Sequence, residues 1–435
     1  MTQQLPPPPP TRDAPDREYG RFTSEVMAGG SVVEKDDDEL VGGWRGALGI
    51  AAVVGLIGML GLFSIWWLVF VVGILIAIFL HELGHFTTAR WTGMKATQFF
   101  IGFGPRLWSF RRGETEYGVR AIPAGAFVRI IGMNSMDDDE PGDEDRTYRS
   151  KSYPKRLLVI SAGSLMHMLL AIVLLFTVYA IDGERAELPG AEIAFVEQGA
   201  TADAAGLMEG DVVLAVDGQE VVDRADLGTY IRANEPADVL VFSVLRDGET
   251  IQLPVALGAN TDESSELFGQ PYIGVSSDYH VVTLDHSVPA AAGNAVIDIF
   301  PTSWEMTKGA LKVLNPVNIF THLAGTNDDL STRPTTLVGV TGVTDDVGEA
   351  EGVMGIIYLF AVLNVFIGVF NMFPLLPLDG GHAAIATYER LRERRGGPRY
   401  YADVAKLMPF AMAVMMLLLS LFTVGLYLDT TSPIG

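Results

Sequence analysis

Three residues at the end of a long apolar run have the types and spacing that metal-assisted hydrolysis requires. The segment reads His81-Glu82-Leu83-Gly84-His85. Residues four apart lie on one face of a helix, so both imidazoles can reach a single metal ion, and Glu82 lies beside it, placed to take a proton from a water. The pattern predicts His81 and His85 as metal ligands and Glu82 as a catalytic base. Chance also produces such pentapeptides, and the alternative is a set of solvated polar residues at a helix end.

A catalytic zinc site takes three protein ligands and keeps one position open. The candidate for the third ligand lies far downstream, where Asp379 directly follows an apolar run in a stretch broken by Pro374, Pro377, Gly380 and Gly381. A helix that unwinds there, buried against protein, can direct the carboxylate to the metal. An ordinary helix-terminating turn explains the prolines and glycines equally well, so both interpretations stay open at this point.

The composition limits the classes of protein to consider. Of the 435 residues, 49% are apolar and they gather in long uncharged blocks, while the formal net charge is −23. Residues 182–352 hold 29 Asp and Glu against 7 Lys and Arg. This acidic balance argues against nucleic-acid binding, which needs a basic surface. There is no cysteine, so disulfides and thiolate ligands are excluded.

The apolar blocks predict a polytopic α-helical protein embedded in a lipid bilayer. Residues 46–80 carry no charge, and this is too long for one crossing, which needs about 20 helical residues. We predict a hairpin of two helices, 46–63 and 65–90, turning near Ser64; one long tilted helix is the alternative. Three further spans are predicted at 157–181, 353–375 and 405–428.

Basic residues in the connecting loops predict the orientation in the cell membrane. Residues 90–156 carry twelve Lys and Arg and residues 380–406 carry six, so both loops are predicted to be cytoplasmic. The acidic region 182–352 is then extracytoplasmic, as is the C-terminus, and the N-terminal tail is cytoplasmic.

The predicted organisation has five parts. Within the third part (182–258), alternating apolar residues predict strands at Glu192–Val196, Val212–Val216, Val239–Leu245 and Thr250–Val255, and a helix near Arg224–Ala233. The parts are a disordered tail (1–43), membrane segments with a cytoplasmic β-rich loop (44–181, loop 91–156), a small β-rich domain (182–258), an extracytoplasmic linker with an amphipathic helix at about 286–324 (259–352), and C-terminal membrane segments (353–435).

Several motifs in one order make the chain resemble the site-2 protease family of intramembrane zinc metalloproteases, in its bacterial type with a single PDZ domain. The resemblance runs from about residue 65 to 428 and includes Phe103-Gly104-Pro105, Gly113–Tyr117, Ile122–Val128 and the segment from Asn371 to Gly380, besides His81–His85. It implies a four-helix core with one extra N-terminal span, Zn²⁺ held by His81, His85 and Asp379, and Glu82 as the base. It also implies that Gly102–Met133 forms a β-rich loop that reaches toward the site, where a plain cytoplasmic loop is the alternative.

One helix departs from the family pattern of Gly-x-x-x-Asn. Gly163 stands at the expected position, but His167 takes the place of the asparagine. The resemblance favours Asn371 and Gly163 for substrate binding. His167, one helical turn from Gly163, is predicted to join them by donating a hydrogen bond to a developing oxyanion, as the amide would. His167 is alternatively a hydrogen-bonded core histidine or an extra metal ligand. Asn364 and Asn371 are seven residues apart, and helix–helix hydrogen bonds are the alternative for both.

The β-rich domain resembles a single PDZ domain, from the strand Ala191–Val196 and the run Ala205–Val213 that follows it. Such domains bind extended peptides by strand addition, or act here as a spacer or size filter.

The resemblance to the site-2 protease family implies hydrolysis of peptide bonds in or near the transmembrane helices of single-pass membrane proteins, such as anti-sigma factors. A membrane zinc transporter and a non-catalytic PDZ scaffold are the alternatives, and the sequence does not give the oligomeric state.

Overall fold

The computed structural model describes residues 43–133, 143–262, 267–327, 329–393, 400–402 and 404–432. Of the predicted disordered tail 1–43, all but the last residue lies outside this part. Five helices in it are long and apolar enough to cross a membrane, in agreement with the predicted polytopic fold. They are α1 (Gly43–Phe63), α2 (Ile65–Trp91), α3 (Tyr153–Ile181), α8 (Leu337–Asn371) and α10 (Met408–Thr431).

The first apolar block divides into two helices at Ser64, as predicted. The Ser64 side chain accepts hydrogen bonds from the backbone N–H groups of Trp66 and Trp67, which is how a serine starts a helix. Its hydroxyl also donates to Asp345 on α8. These bonds end α1 and begin α2 at one residue, so the single tilted helix is excluded.

The span predicted at 353–375 is the second part of a longer helix. α8 begins at Leu337, and its backbone leaves the helical region at Gly352, where φ is 65°. The carboxylates before that kink, among them Glu349 and Glu351, interrupt the apolar run, which is why the sequence pattern started the helix too late.

The β-rich loop consists of two long antiparallel strands, β1 (Ala96–Arg112) and β2 (Thr115–Ile130). Residues 115–120 and 126–130 both lie on β2, and both pair with β1. Phe100 lies opposite Phe127 and also opposite Gly118, because both strands bend. The bend in β1 needs glycine at 102, where φ is 87° and a Cβ would lie 2.7 Å from a backbone oxygen of β2.

The inserted β-rich domain is a compact unit of its own, Val178–Ala291. Its main sheet runs in the order β10-β3-β4-β6-β7, and Ile193, Val213, Phe242 and Val255 are fully buried in its core. The sheet continues past the predicted boundary at 258, because β10 pairs with β3. The elements are β3 (Glu184–Val196), α4 (Thr201–Ala205), β4 (Val212–Val216), β5 (Gln219–Glu220), α5 (Arg224–Arg232), β6 (Val239–Arg246), β7 (Glu249–Ala256), β8 (Gly258–Ala259), β9 (Pro271–Tyr272) and β10 (Val275–Leu284).

Three more helices complete the part of the chain that the structure describes. The amphipathic region predicted at about 286–324 forms two helices, α6 (Val288–Val313) and α7 (Pro316–Leu323), separated where Asn315 caps α7. α9 (Asp379–Arg392) follows α8 and carries the predicted third metal ligand at its first residue.

Candidate metal centre

The side chains of His81, His85 and Asp379 converge on one point. The Nε2 atoms of His81 and His85 are 3.1 Å apart, and Asp379 Oδ2 lies 3.4 Å from the first and 3.3 Å from the second. Among the described residues, these three are the group of His, Asp and Glu that brings its ligand atoms this close together. The two interpretations of this stretch are compatible: α8 ends at Asn371, and the turn that follows brings Asp379 back to the histidines, while its role as a metal ligand stays a prediction.

These distances match the demands of a zinc ion. Zn–N and Zn–O bonds of about 2.0–2.1 Å in a tetrahedron place neighbouring ligand atoms roughly 3.3–3.4 Å apart. The three measured separations form one triangular face of such a tetrahedron, which leaves its fourth corner open. Within the described residues, Asp379 Oδ2 is also buried without a hydrogen-bond donor. A buried carboxylate oxygen without a donor needs a cation, so the residues fit the metal.

The hydrogen bonds of His85 give its ring the tautomer that a metal ligand needs. Its Nδ1 lies 2.7 Å from the backbone carbonyl oxygen of Val159 on α3. A carbonyl oxygen only accepts, so Nδ1 carries the proton and the neutral ring has its lone pair on Nε2. Metal-binding histidines are commonly oriented by such a bond on the second nitrogen. This partner could not be predicted from the residue types, because a backbone carbonyl is common to every residue.

One face of α3 contacts every element of the centre. Arg156, Val159, Gly163 and His167 follow one another at helical spacing, so their positions share a face. Val159 holds His85, Gly163 lies under the ring of His81, and His167 contacts α8. Arg156 forms a buried ion pair with Glu389 on α9, the helix that Asp379 begins.

Gly163 leaves the room that the His81 ring occupies. A Cβ at this position would lie 2.3 Å from His81 Cε1 and 2.5 Å from His81 Nε2. Real Cβ atoms do not approach that closely, so any side chain here must displace a proposed metal ligand. Packing against the His81 ring therefore explains why glycine occupies position 163, while the expected contact of Gly163 with substrate stays a prediction.

We expect Gly163→Ala to lower zinc affinity roughly 10- to 100-fold, the usual cost of disturbing the groups that orient a ligand. Zinc retained against a graded chelator, measured by atomic emission on the purified protein, checks this. Gly58→Ala is the matched control, because Gly58 lies in the apolar α1 with open space around it. Equal zinc retention in the two variants would contradict the steric argument.

His167 is buried, with 2% of its surface exposed, and its ring centroid lies 5.1 Å from that of His81. Its Nδ1 is 2.7 Å from Asn364 Oδ1, and the Asn364 amide donates to the Phe360 carbonyl. Asn364 thereby accepts from Nδ1, so the neutral His167 ring keeps a lone pair on Nε2. A neutral His167 accepts a hydrogen bond at Nε2, and the donation to an oxyanion that the sequence suggested would need a doubly protonated ring.

Glu82 lies on α2 between the two histidines. Leu83 and Phe86 of α2 pack with Val128 of β2 in one apolar cluster, so the β-rich loop borders the centre. This supports the expected approach of Gly102–Met133 to the site over the plain-loop alternative. Asn371 is the last residue of α8, eight positions before Asp379.

Two histidines and a glutamate on a helix of membrane-spanning length, joined by a carboxylate from the first residue of a shorter helix, define a membrane-embedded metallohydrolase. The sequence profile of peptidase family M50 matches residues 69–418, and the chain belongs to this family. It is a zinc metalloendopeptidase of the site-2 protease type, with Zn²⁺ as its cofactor, as the resemblance implied.

Relatives match over nearly their whole length. The zinc metalloprotease Rip1 of Mycolicibacterium smegmatis is 30% identical over 414 residues, which cover 86% of this chain and 99% of the relative. The zinc metalloprotease Rip1 of Mycobacterium tuberculosis H37Rv is 29% identical over 402 residues, 84% of this chain and 97% of the relative. Among solved structures, the PDZ domain of an SdrC-like protein from Listeria monocytogenes aligns with 20% of this chain and 86% of its own, at 22% identity and a TM-score of 0.18.

Proposed function

We propose that this protein hydrolyses peptide bonds in or near the transmembrane helices of single-pass membrane proteins, with zinc held by His81, His85 and Asp379 and with Glu82 as the base. The observation that carries this is the triangle of ligand atoms, 3.1–3.4 Å on each side, which joins Asp379 to two histidines that lie beside Glu82 on a helix of membrane-spanning length. The relatives' name, zinc metalloprotease, supports the same reaction.

When bound, zinc would polarise the scissile carbonyl and acidify the attacking water. Glu82 accepts the proton of that water on its carboxylate and passes it to the leaving amine. The burial of His85 and the surrounding apolar helices exclude bulk water from the site.

The substrate must be unwound before it is cut, because a helix shields its own carbonyl groups by hydrogen bonding. A substrate held extended beside β1 and β2 satisfies its backbone by strand addition. Its polar contacts in this proposal are Asn371, the Gly163 backbone and His167 Nε2, which accepts from a substrate N–H. Regulated proteolysis of a signalling regulator such as an anti-sigma factor is the biological role we propose.

The proposed orientation in the cell membrane follows from the basic loops. Twelve Lys and Arg in 90–156 and six in 380–406 favour the cytoplasmic side for both. The inserted domain, with its acidic surroundings, then lies outside, where a PDZ-like fold serves as a size filter or as a peptide-binding domain.

Zinc removal tests the proposal. We expect the purified full-length protein in nanodiscs to cleave a labelled single-pass anti-sigma factor, to lose all detectable cleavage after dialysis against a chelator, and to regain it when zinc is restored. Zinc that binds without supporting cleavage of any single-pass protein tried would favour the scaffold, and zinc flux into sealed vesicles would favour the transporter. Within the described residues, the single convergent group of ligands argues against a transport path, which needs successive sites.

His167 gives a second prediction. We expect His167→Leu to keep its zinc but to lower kcat/KM roughly 10-fold or more, because a buried hydrogen bond to the substrate is lost. His167→Asn, which restores the amide of the family pattern, should recover most of that loss. Equal activity in both variants would show that His167 is a packing residue only. Steady-state cleavage of the same labelled substrate measures both.

A further inference from the structure

A cavity lies between the end of one membrane-spanning helix, α8, and the start of another, α10. Its volume is about 430 Å³. Pro374, on one wall, follows shortly after the end of α8, and Leu407, on another, directly precedes α10. Membrane-spanning helices end near the lipid headgroups, and from these two helix ends we infer that the cavity lies at that level. Its walls are formed by Pro374, Leu376, Gly381, Ala384, Ile385, Tyr388, Tyr400, Ala402, Lys406, Leu407 and Phe410.

The lining divides into an apolar part and a polar, cationic edge. Leu376, Ile385 and Phe410 supply aliphatic and aromatic surface, whereas Tyr388, Tyr400 and Lys406 supply polar groups. Such a division suits an amphiphile, with an acyl chain against the apolar side chains and a polar head at the edge.

An arginine is held at this edge by the two tyrosines. Arg392 Nε donates to the Tyr388 hydroxyl at 3.0 Å, and its guanidinium carbon lies 5.5 Å and 5.7 Å from the ring centroids of Tyr388 and Tyr400. Stacking on aromatic rings orders a guanidinium while leaving its outer N–H groups able to bind phosphate. The cation is thus placed beside the cavity before any ligand arrives.

The surrounding charge selects the sign of the ligand. The connection 380–406 carries six Lys and Arg, and its acidic residues in the described part are Glu389, buried in an ion pair, and Glu393, which pairs with Arg390. A basic edge next to the membrane surface attracts anionic lipids. We propose that this cavity binds an anionic glycerophospholipid, with an acyl chain among Leu376, Ile385 and Phe410 and its phosphate beside Arg392 and Lys406.

The position of the cavity links it to the metal centre. Leu376 and Gly381 line it, and Asp379 lies between them in the chain. A Cβ on Gly381 would meet the backbone of Leu375 and Leu376 at 2.7–2.8 Å, so this turn is tightly packed. The lipid would thus contact the segment that carries a proposed zinc ligand, although its binding does not depend on proteolysis.

Native mass spectrometry of the purified full-length protein tests the proposal without an activity assay. Protein equilibrated with an equal mixture of phosphatidylglycerol and phosphatidylcholine should retain phosphatidylglycerol preferentially. The double variant Arg392→Gln with Lys406→Gln should lower that retention roughly 10-fold, from the loss of two charges near the membrane surface. Ala384→Trp, which fills the cavity without changing charge, should lower it as well.

The matched control is Arg111→Gln with Arg112→Gln, which removes the same charge from exposed positions at the end of β1. It should retain phosphatidylglycerol as the unsubstituted protein does. If both double variants lost the same amount of phosphatidylglycerol, the retention would depend on general surface charge, and the proposed lipid site would be wrong. Equal retention of phosphatidylcholine, or retention unchanged by Ala384→Trp, would also overturn it.

Discussion

Replacement of Glu82 by glutamine should abolish cleavage while leaving the zinc in place. Glutamine has nearly the same shape but cannot accept a proton at neutral pH, and the loss of a general base costs roughly 10²- to 10⁴-fold in rate. The ligand atoms of His81, His85 and Asp379 are untouched, so zinc content should stay at one ion per chain, the number that the one such group among the described residues predicts. Cleavage of a labelled single-pass substrate and zinc content, both on the same preparation, measure the two effects.

The control for this experiment is Glu349→Gln, the same change at an exposed position of α8 before its kink at Gly352. It should cleave at the unsubstituted rate. Undiminished cleavage by the Glu82 variant would remove Glu82 from the mechanism and leave the zinc site without its base. Loss of zinc together with activity would show that Glu82 supports the ligands instead of the proton transfer.

The part of the metal centre that lies on one helix could be predicted from the sequence. His81, Glu82 and His85 lie on one helix, and helical periodicity alone places the two imidazoles together. Asp379 is 294 residues after His85, and no periodicity connects the two. Its interpretation as a ligand depended on the resemblance to a family, because prolines and glycines after an apolar helix are equally typical of an ordinary turn.

The parts that sequence reasoning missed depend on long-range contacts. Val159 acts through its backbone carbonyl, which every residue type has, so this contact cannot be predicted from the sequence. Arg156 is one of twelve basic residues in 90–156, and nothing in the sequence distinguishes it from the others. Asn364 was noted for its spacing from Asn371, but its partner, His167, is 197 positions away. The shape of the β-rich loop was also missed, since the bends at its glycines let one strand pair along both of its edges.

The buried pair of Arg156 and Glu389 should be the ionic contact whose loss most disturbs the metal centre. Arg156 Nη1 lies 2.6 Å from Glu389 Oε2, with 5% and 8% of the two side chains exposed, and Glu389 Oε1 accepts from the Ala402 backbone. The pair joins the α3 face that supports both histidines to the helix that Asp379 begins. Glu389→Gln leaves a buried guanidinium without its counter-charge, which costs about 3–5 kcal/mol.

We therefore expect Glu389→Gln to lower the unfolding free energy by that amount and to weaken zinc binding. Glu114→Gln is the control, because Glu114 makes a bidentate pair with Arg146 at 2.7 Å but the side chains are 36% and 42% exposed. A surface pair contributes about 0–1 kcal/mol, so the control should change little. The double variant Arg156→Met with Glu389→Leu removes both charges, and it should regain stability relative to Glu389→Gln. Denaturant unfolding in detergent and zinc retention against a chelator measure these effects; equal values for Glu389→Gln and Glu114→Gln would mean that the pair does not position α9.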